Sequence, residues 1–139
     1  MMTREDMRRL LHVAEWTVQH HRHVMSTIRE PAGSEEHYLI IARELDRVNA
    51  NIARARSLHA EATLTLVEWL VMVDSYQWKC AYCQEKPFEI MHHRIVLHEG
   101  GTTPSNCLPA CRGCCTRRKK NPPEPHGSHL NHSCSATRL

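Results

Sequence analysis

The strongest indication of the fold comes from residues 80–114, which read CAYCQEKPFEIMHHRIVLHEGGTTPSNCLPACRGC. It begins and ends with a C-x2-C knuckle, the first at Cys80 and Cys83 and the second at Cys111 and Cys114. Two residues between thiols let both sulfurs face one ion in a tight turn, and two such turns complete a tetrahedral four-sulfur site. Thiolate ligands and four-fold coordination favour Zn²⁺. Because four thiolates leave no open position, we predict a structural zinc whose binding supplies much of the folding free energy of this region.

Helical spacing characterises the chain before this stretch. Apolar side chains recur three or four positions apart from Thr3 to about Arg29, and again after Ser34, a typical N-cap residue. The stripes consist of Met7, Leu11, Ala14, Val18, His21, Met25 and Ile28, and of Tyr38, Ile41, Leu45, Val48, Ile52 and Ala55. Because Pro31 and Gly33 separate them, we predict an antiparallel helical hairpin over residues 1–60. Its heptad-like faces are packing surfaces that allow self-association through the N-terminal helices.

A third helix is predicted to begin at Thr65. Thr65 and Glu68 have the spacing of a capping box, in which each side chain bonds the backbone amide of the other residue. Its buried face is expected to consist of Leu66, Trp69, Leu70 and Val73. The segments 90–93 and 94–97 are interpreted as two short strands of a bent hairpin.

A short helix from Ala110 to about Lys120 is expected to complete an α+β fold. We predict three regions: the helical hairpin over 1–60, a zinc-knuckle domain over 61–121, and a disordered tail over 122–139.

Composition excludes a membrane protein. Hydrophobic residues make up 41% and charged residues 24% of the 139, and no fully apolar run exceeds five residues. A membrane-spanning helix needs about 20 such residues, so we expect no membrane partner. Because the first residues also lack the apolar segment of a secretory signal, we expect a cytoplasmic protein with reduced thiols.

The order of residues between the knuckles is specific. His92 and His93 come first, then Gly100 and Gly101, then Asn106. In this frame, residues 42–120 resemble an HNH endonuclease of the zinc-containing, four-cysteine branch. The resemblance includes the phrases ATLTLVEW at 62–69 and NCLPAC at 106–111. It implies a ββα-metal (His-Me finger) motif, in which two strands and a helix hold one catalytic divalent ion, and it implies hydrolysis of DNA phosphodiester bonds to 5′-phosphate and 3′-hydroxyl ends.

The resemblance assigns roles by position. His93 matches the general base, since a neutral imidazole can take a proton from the attacking water. His92 matches the first ligand of the catalytic ion. Asn106 matches the middle asparagine, whose side-chain amide ties the loop to the strand that carries His93 and keeps its imidazole oriented.

This chain departs from the family pattern after the second knuckle. Cys115 stands where members usually carry the second metal ligand, Asn or His. The expected catalytic ion is Mg²⁺, Mn²⁺, Ni²⁺ or Zn²⁺. Either the Cys115 thiolate binds it and shifts the preference from Mg²⁺ toward softer ions such as Zn²⁺, or the position is lost and His92 holds the ion with water molecules and the substrate phosphate. A broken ligand set would instead predict a catalytically degenerate, zinc-stabilised DNA-binding module. A third hypothesis is a helical-hairpin interaction protein in which the zinc domain is only a scaffold.

Positive charge is concentrated near the end of the chain. Residues 111–139 contain six bases and one acid, within a net charge of +3 for the whole chain. The predicted DNA-binding residues are Arg112, Arg117, Arg118, Lys119 and Lys120. Such side chains neutralise phosphates regardless of sequence, so the expected partner is double-stranded DNA. Arg54 and Arg56 are hypothesised to extend this track.

Overall fold

The computed structural model describes residues 2–19 and 29–117, which form a mixed fold of helices and one small sheet. The elements are α1 (Arg4–Gln19), α2 (Arg29–Ala32), α3 (Glu35–Ser57), α4 (Leu66–Ser75), β1 (Ile90–His93), α5 (Leu97–Gly100), β2 (Cys107–Ala110) and α6 (Arg112–Arg117). The predicted α+β class is confirmed at this level. The end of the first predicted helix and the predicted tail lie outside the described residues.

Local capping explains where the helices begin. The Ser34 side chain accepts a hydrogen bond from the backbone amide of His37 at the start of α3. At α4 the predicted capping box is present in both directions, because Thr65 accepts from the Glu68 amide and the Glu68 carboxylate accepts from the Thr65 amide. These side chains satisfy amides that the first turn of a helix leaves unpaired.

The core lies where α1, α3 and α4 pack together. The predicted inner face of α4 is confirmed, because Leu66, Trp69, Leu70 and Val73 are all buried. The same cluster includes residues of all three helices together with Met91 of β1 and Cys107 of β2. One core cluster therefore contains residues from both sides of position 60, and the division of the chain into domains stays a prediction. None of the described helices has the length and apolarity needed to cross a membrane.

The sheet consists of β1 and β2 paired antiparallel, with His93 opposite Cys107 and Ile90 opposite Ala110. The prediction of a strand over 94–97 is wrong. The chain bends after His93 and forms the single turn of α5, because the Asn106 side chain takes both backbone polar groups of Ile95. Because the Asn106 side chain already pairs with these groups, no neighbouring strand is needed to satisfy them.

A buried carboxylate fastens α3 to α4. Glu44 is fully buried, and it accepts hydrogen bonds from Trp69 Nε1 at 2.9 Å, Arg47 Nε at 2.8 Å and Arg43 Nε at 3.0 Å. Arg47 also contacts the segment before β1, because its Nη1 donates a hydrogen bond to the backbone carbonyl of Glu89 at 2.8 Å. This chain of contacts joins the helical core to the strand that carries His92 and His93.

Replacing Arg47 with methionine is expected to lower the free energy of unfolding by about 3 kcal/mol, since a buried carboxylate loses its main charged partner. The matched control is Arg43→Met, which removes the more exposed guanidinium from the same carboxylate and should cost less than about 1 kcal/mol. Urea denaturation followed by circular dichroism measures both. Equal losses in the two variants would contradict this account.

Candidate functional site

The four knuckle cysteines converge. The Sγ atoms of Cys80, Cys83, Cys111 and Cys114 all lie within 4.8 Å of one another, and all four side chains are buried. Four thiols at this spacing fit the tetrahedral four-sulfur coordination of a structural zinc. Burial raises the pKa of the Cys80 thiol far above its ordinary value, so the loss of its proton is coupled to metal binding.

Backbone hydrogen bonds bring the knuckles together. The Ala81 amide donates to the carbonyl of Pro109 at 2.8 Å, which places the first knuckle against β2. Because β2 ends at Ala110, the second knuckle follows at once. The turn after the first knuckle closes through the Gln84 amide, which donates to the Cys80 carbonyl, with Gln84 at a positive φ of 56°.

His93 ends β1 and is half-buried. Its Nε2 lies 3.0 Å from the Oγ1 of Thr102. Burial, the positive charge of Arg54 and the neighbouring His92 together lower the pKa of His93 from 6.5 to about 4. The imidazole is therefore neutral near pH 7, which is the form that can accept a proton.

His92 takes a different direction. Its ring packs edge-on against Tyr82 of the first knuckle, with centroids 5.5 Å apart and planes at 79°. Successive strand residues point to opposite faces, so His92 lies toward the zinc knuckle while His93 lies toward Thr102. The two rings are nevertheless close enough that His92 contributes to the lowered pKa of His93.

In the part of the chain that the structure describes, the cysteine cluster is the one group of three or more potential metal ligands. The described residues therefore do not place His92 in a second group of three potential metal ligands. The side chain of Cys115, which the resemblance pairs with His92, lies outside the described residues.

Asn106 holds the loop that follows β1. Its buried side chain accepts a hydrogen bond from the Ile95 amide at 2.7 Å and donates to the carbonyls of Ile95 and Gly101 at 3.0 and 2.8 Å. The space is tight, because a Cβ on Gly100 would lie 2.6 Å from the Asn106 Nδ2. All the polar atoms of this amide are thus used to fix the loop beside His93.

The predicted DNA-binding residues are only partly described. Arg112 is exposed, and its side chain lies 3.8 Å from the carboxylate of Glu89, which also accepts from the Arg112 backbone amide. The Arg117 side chain and all of Arg118, Lys119 and Lys120 lie outside the described residues.

Two features of the site were missed by sequence reasoning. Thr102 is fully buried and bonds His93, and its hydroxyl donates to the main-chain carbonyl of Asn51 in α3 at 3.0 Å. No spacing in the sequence marks a threonine after two glycines as a partner of His93. A main-chain carbonyl leaves no side-chain signal. Arg54, one turn after Asn51 on α3, was hypothesised only as part of a DNA track, but its charge acts on His93.

Comparisons with known proteins give a partial match. No family model matches the chain, and no solved structure matches it. The chain is 30% identical over an alignment of 79 residues to a protein of Bacillus subtilis (strain 168) with the name "SPbeta prophage-derived putative HNH endonuclease YoqL". The alignment covers 46% of this chain and 33% of the relative, so the chain spans about a third of the length of the protein that it matches. The similarity to a protein with the name of an HNH endonuclease thus extends over less than half of the chain.

Proposed function

We propose that the protein is a metal-dependent HNH endonuclease that hydrolyses double-stranded DNA to 5′-phosphate and 3′-hydroxyl ends. The observation that carries the proposal is the placement of His93. A neutral, half-buried imidazole ends β1, bonded through Nε2 to Thr102 and next to a loop that Asn106 fixes. The partial similarity to a protein named as an HNH endonuclease supports the same activity.

In this proposal β1, β2 and α6 form the ββα-metal motif inside a nuclease region over residues 61–121. His93 takes a proton from the water that attacks phosphorus, while Asn106 keeps the loop in place. The bond from phosphorus to the 3′ oxygen breaks, and that oxygen takes up a proton from solvent to become the 3′-hydroxyl end. Arg54 is close enough for its positive charge to act on His93, and a phosphate of the substrate would neutralise that charge. The helical hairpin region over 1–60 thereby contributes a cation to the site, and residues 122–139 form the tail.

The proposed ligands of the catalytic ion are His92 and Cys115. When bound, a divalent ion neutralises charge on the phosphate and on the leaving oxygen. Among the described residues His92 supplies one imidazole nitrogen for it, at the rim of the zinc knuckle beside Tyr82. An imidazole with a thiolate suits Ni²⁺ or Zn²⁺ better than Mg²⁺ or Mn²⁺.

DNA contacts in this proposal come from the basic residues of α6 and beyond. Arg112 is the member of the set whose side chain the structure describes, and it is 71% exposed. The Arg112 guanidinium lies 3.8 Å from the Glu89 carboxylate, which is a loose pairing. A phosphate of the DNA would therefore compete with Glu89 for this guanidinium. Each phosphate contact adds roughly one unit to the salt dependence of binding.

Plasmid nicking tests the proposal. The full chain, with its structural zinc retained, is incubated with supercoiled plasmid and Mg²⁺, Mn²⁺, Ni²⁺ or Zn²⁺. We expect conversion to nicked circles with at least one ion, and we expect DNA ligase to reseal the nicks without prior phosphorylation, because the ends are 5′-phosphate and 3′-hydroxyl. Failure to nick with all four ions would contradict the proposal.

The catalytically degenerate DNA-binding module is the second candidate. The observation that favours it is the sequence departure at Cys115, which stands where the family usually carries Asn or His as the second metal ligand. Salt-dependent binding of a DNA duplex, measured by fluorescence anisotropy and unaccompanied by nicking with any ion, would support this candidate over the endonuclease.

A further inference from the structure

The Thr102 hydroxyl lies between His93 and helix α3. Its oxygen is 3.0 Å from His93 Nε2 on one side and 3.0 Å from the Asn51 carbonyl oxygen on the other. These three groups come from β1, from the turn after α5 and from α3. The hydroxyl therefore joins the candidate base to the N-terminal helical region.

Chemistry fixes the direction of both hydrogen bonds. A carbonyl oxygen can only accept, so the single hydroxyl proton of Thr102 points to Asn51. The same hydroxyl can then only accept from His93, which places the imidazole proton on Nε2. A neutral imidazole has one N–H and one lone pair, so the lone pair of His93 resides on Nδ1. No described residue hydrogen-bonds that nitrogen, which leaves it available to a water molecule.

The position of Thr102 is fixed by its burial and by its backbone hydrogen bonds. Its side chain is fully buried, its amide donates to the Glu61 carbonyl at 2.8 Å, and its own carbonyl accepts from the amides of Thr63 and Leu64 at 3.0 and 3.1 Å. The preceding residue, Gly101, has a positive φ of 73°, and a Cβ there would collide with the backbone of Glu61. Every polar group of Thr102 is thus occupied.

We propose that Thr102 is a positioning residue that, held by the main chain of α3 at Asn51, keeps His93 in the Nε2–H tautomer with Nδ1 free. The catalytic consequence of this assignment rests on the proposed endonuclease function, whereas the tautomer itself does not. Helix α3 therefore acts through its backbone on the orientation of the candidate base.

The direct test is nitrogen NMR of the full-length, zinc-loaded protein labelled with ¹⁵N-histidine, with the His93 signals assigned by their loss in His93→Ala. We expect His93 to show a protonated Nε2 and an unprotonated Nδ1 in the wild-type chain. Thr102→Val removes the hydroxyl at nearly constant volume and should give a mixture of tautomers. Thr102→Ser restores the hydroxyl and should restore the single tautomer.

Thr103→Val is the matched control, because Thr103 is also buried but its hydroxyl faces Ser105. It should leave the His93 signals unchanged. In the nicking assay, Thr102→Val is expected to lower kcat about 10- to 100-fold with little change in KM, as a misplaced catalytic group does. Thr102→Ser should recover most of that loss.

Three results would overturn the proposal: a protonated Nδ1 on wild-type His93, an unchanged tautomer in Thr102→Val, or an unchanged kcat in an active Thr102→Val protein. If Thr102→Val fails to fold, the wild-type tautomer and the Thr102→Ser protein decide. If the wild-type chain does not nick DNA, the endonuclease proposal fails, but the NMR measurement still tests the tautomer of His93. The failure of one proposal is therefore distinguishable from the failure of the other.

Discussion

Replacing His93 with alanine is expected to lower the rate of plasmid nicking about 10²- to 10⁴-fold, the usual contribution of a positioned general base. His93 is the imidazole whose environment keeps it neutral and whose Nε2 is bonded to Thr102. Alanine removes the proton acceptor without removing the zinc cluster or the basic residues. Zinc content and affinity for a DNA duplex should therefore stay the same as in the wild-type chain.

His98→Ala is the control for that variant. His98 lies in α5, close in sequence to His93, but its side chain is 64% exposed and contacts Glu99. We expect its nicking rate to equal that of the wild-type chain. An equal loss of rate in both variants, or an unchanged rate in His93→Ala, would contradict the role assigned to His93.

Removing the structural metal is expected to unfold the region around the cysteine cluster. Structural zinc sites of this type contribute on the order of 10–16 kcal/mol of apparent binding free energy, far more than a small region with one two-stranded sheet can supply. The second buried cluster consists mainly of the knuckle residues and Leu108 and Ala110 of β2, so little apolar packing would remain without the ion. Chelation should therefore reduce the near-ultraviolet circular dichroism of the protein.

Two cysteine variants separate this effect from a general loss of packing. Cys83→Ser removes one of the four converging thiols and should reduce bound zinc, measured by mass spectrometry or elemental analysis, from one equivalent to a small fraction. Cys107→Ser alters a cysteine of β2 that is equally buried but lies outside the cluster. It should retain one equivalent. Full zinc occupancy in Cys83→Ser would refute the assignment of the cluster.

The sequence predicts best what depends on neighbours along the chain. The capping box of Thr65 and Glu68 is decided within four residues, and the whole inner face of α4 followed from its helical period. Each C-x2-C knuckle is likewise a turn formed by residues close in sequence, and a four-sulfur site requires two such turns. For α1 the predicted helical period is confirmed, but the predicted buried face differs in part. Leu10 is fully buried, whereas Leu11, which was assigned to that face, is only partly buried.

The errors and omissions involve groups that are distant in sequence. The segment 94–97 has the composition of a strand. However, the Asn106 side chain pairs with the backbone amide and carbonyl of Ile95, so these groups are not available for hydrogen bonds with a neighbouring strand. The contact between Thr102 and Asn51 spans 51 positions and depends on how α3 packs. Glu44 likewise has no sequence signal as a buried acid, because its partner Trp69 lies on another helix.

The acceptor at Asn51 is a peptide oxygen, which every amino acid supplies. Exchanges at position 51 that preserve the helix would keep this oxygen in place, so evolutionary drift could erase the asparagine without disturbing the orientation of the imidazole. A comparison of related sequences would then find a variable residue at position 51, although its backbone oxygen is the acceptor for Thr102. By the same reasoning, recombination that joined the cysteine-rich half to a foreign helix would preserve the hydrogen bond only if the new helix ran along the same path.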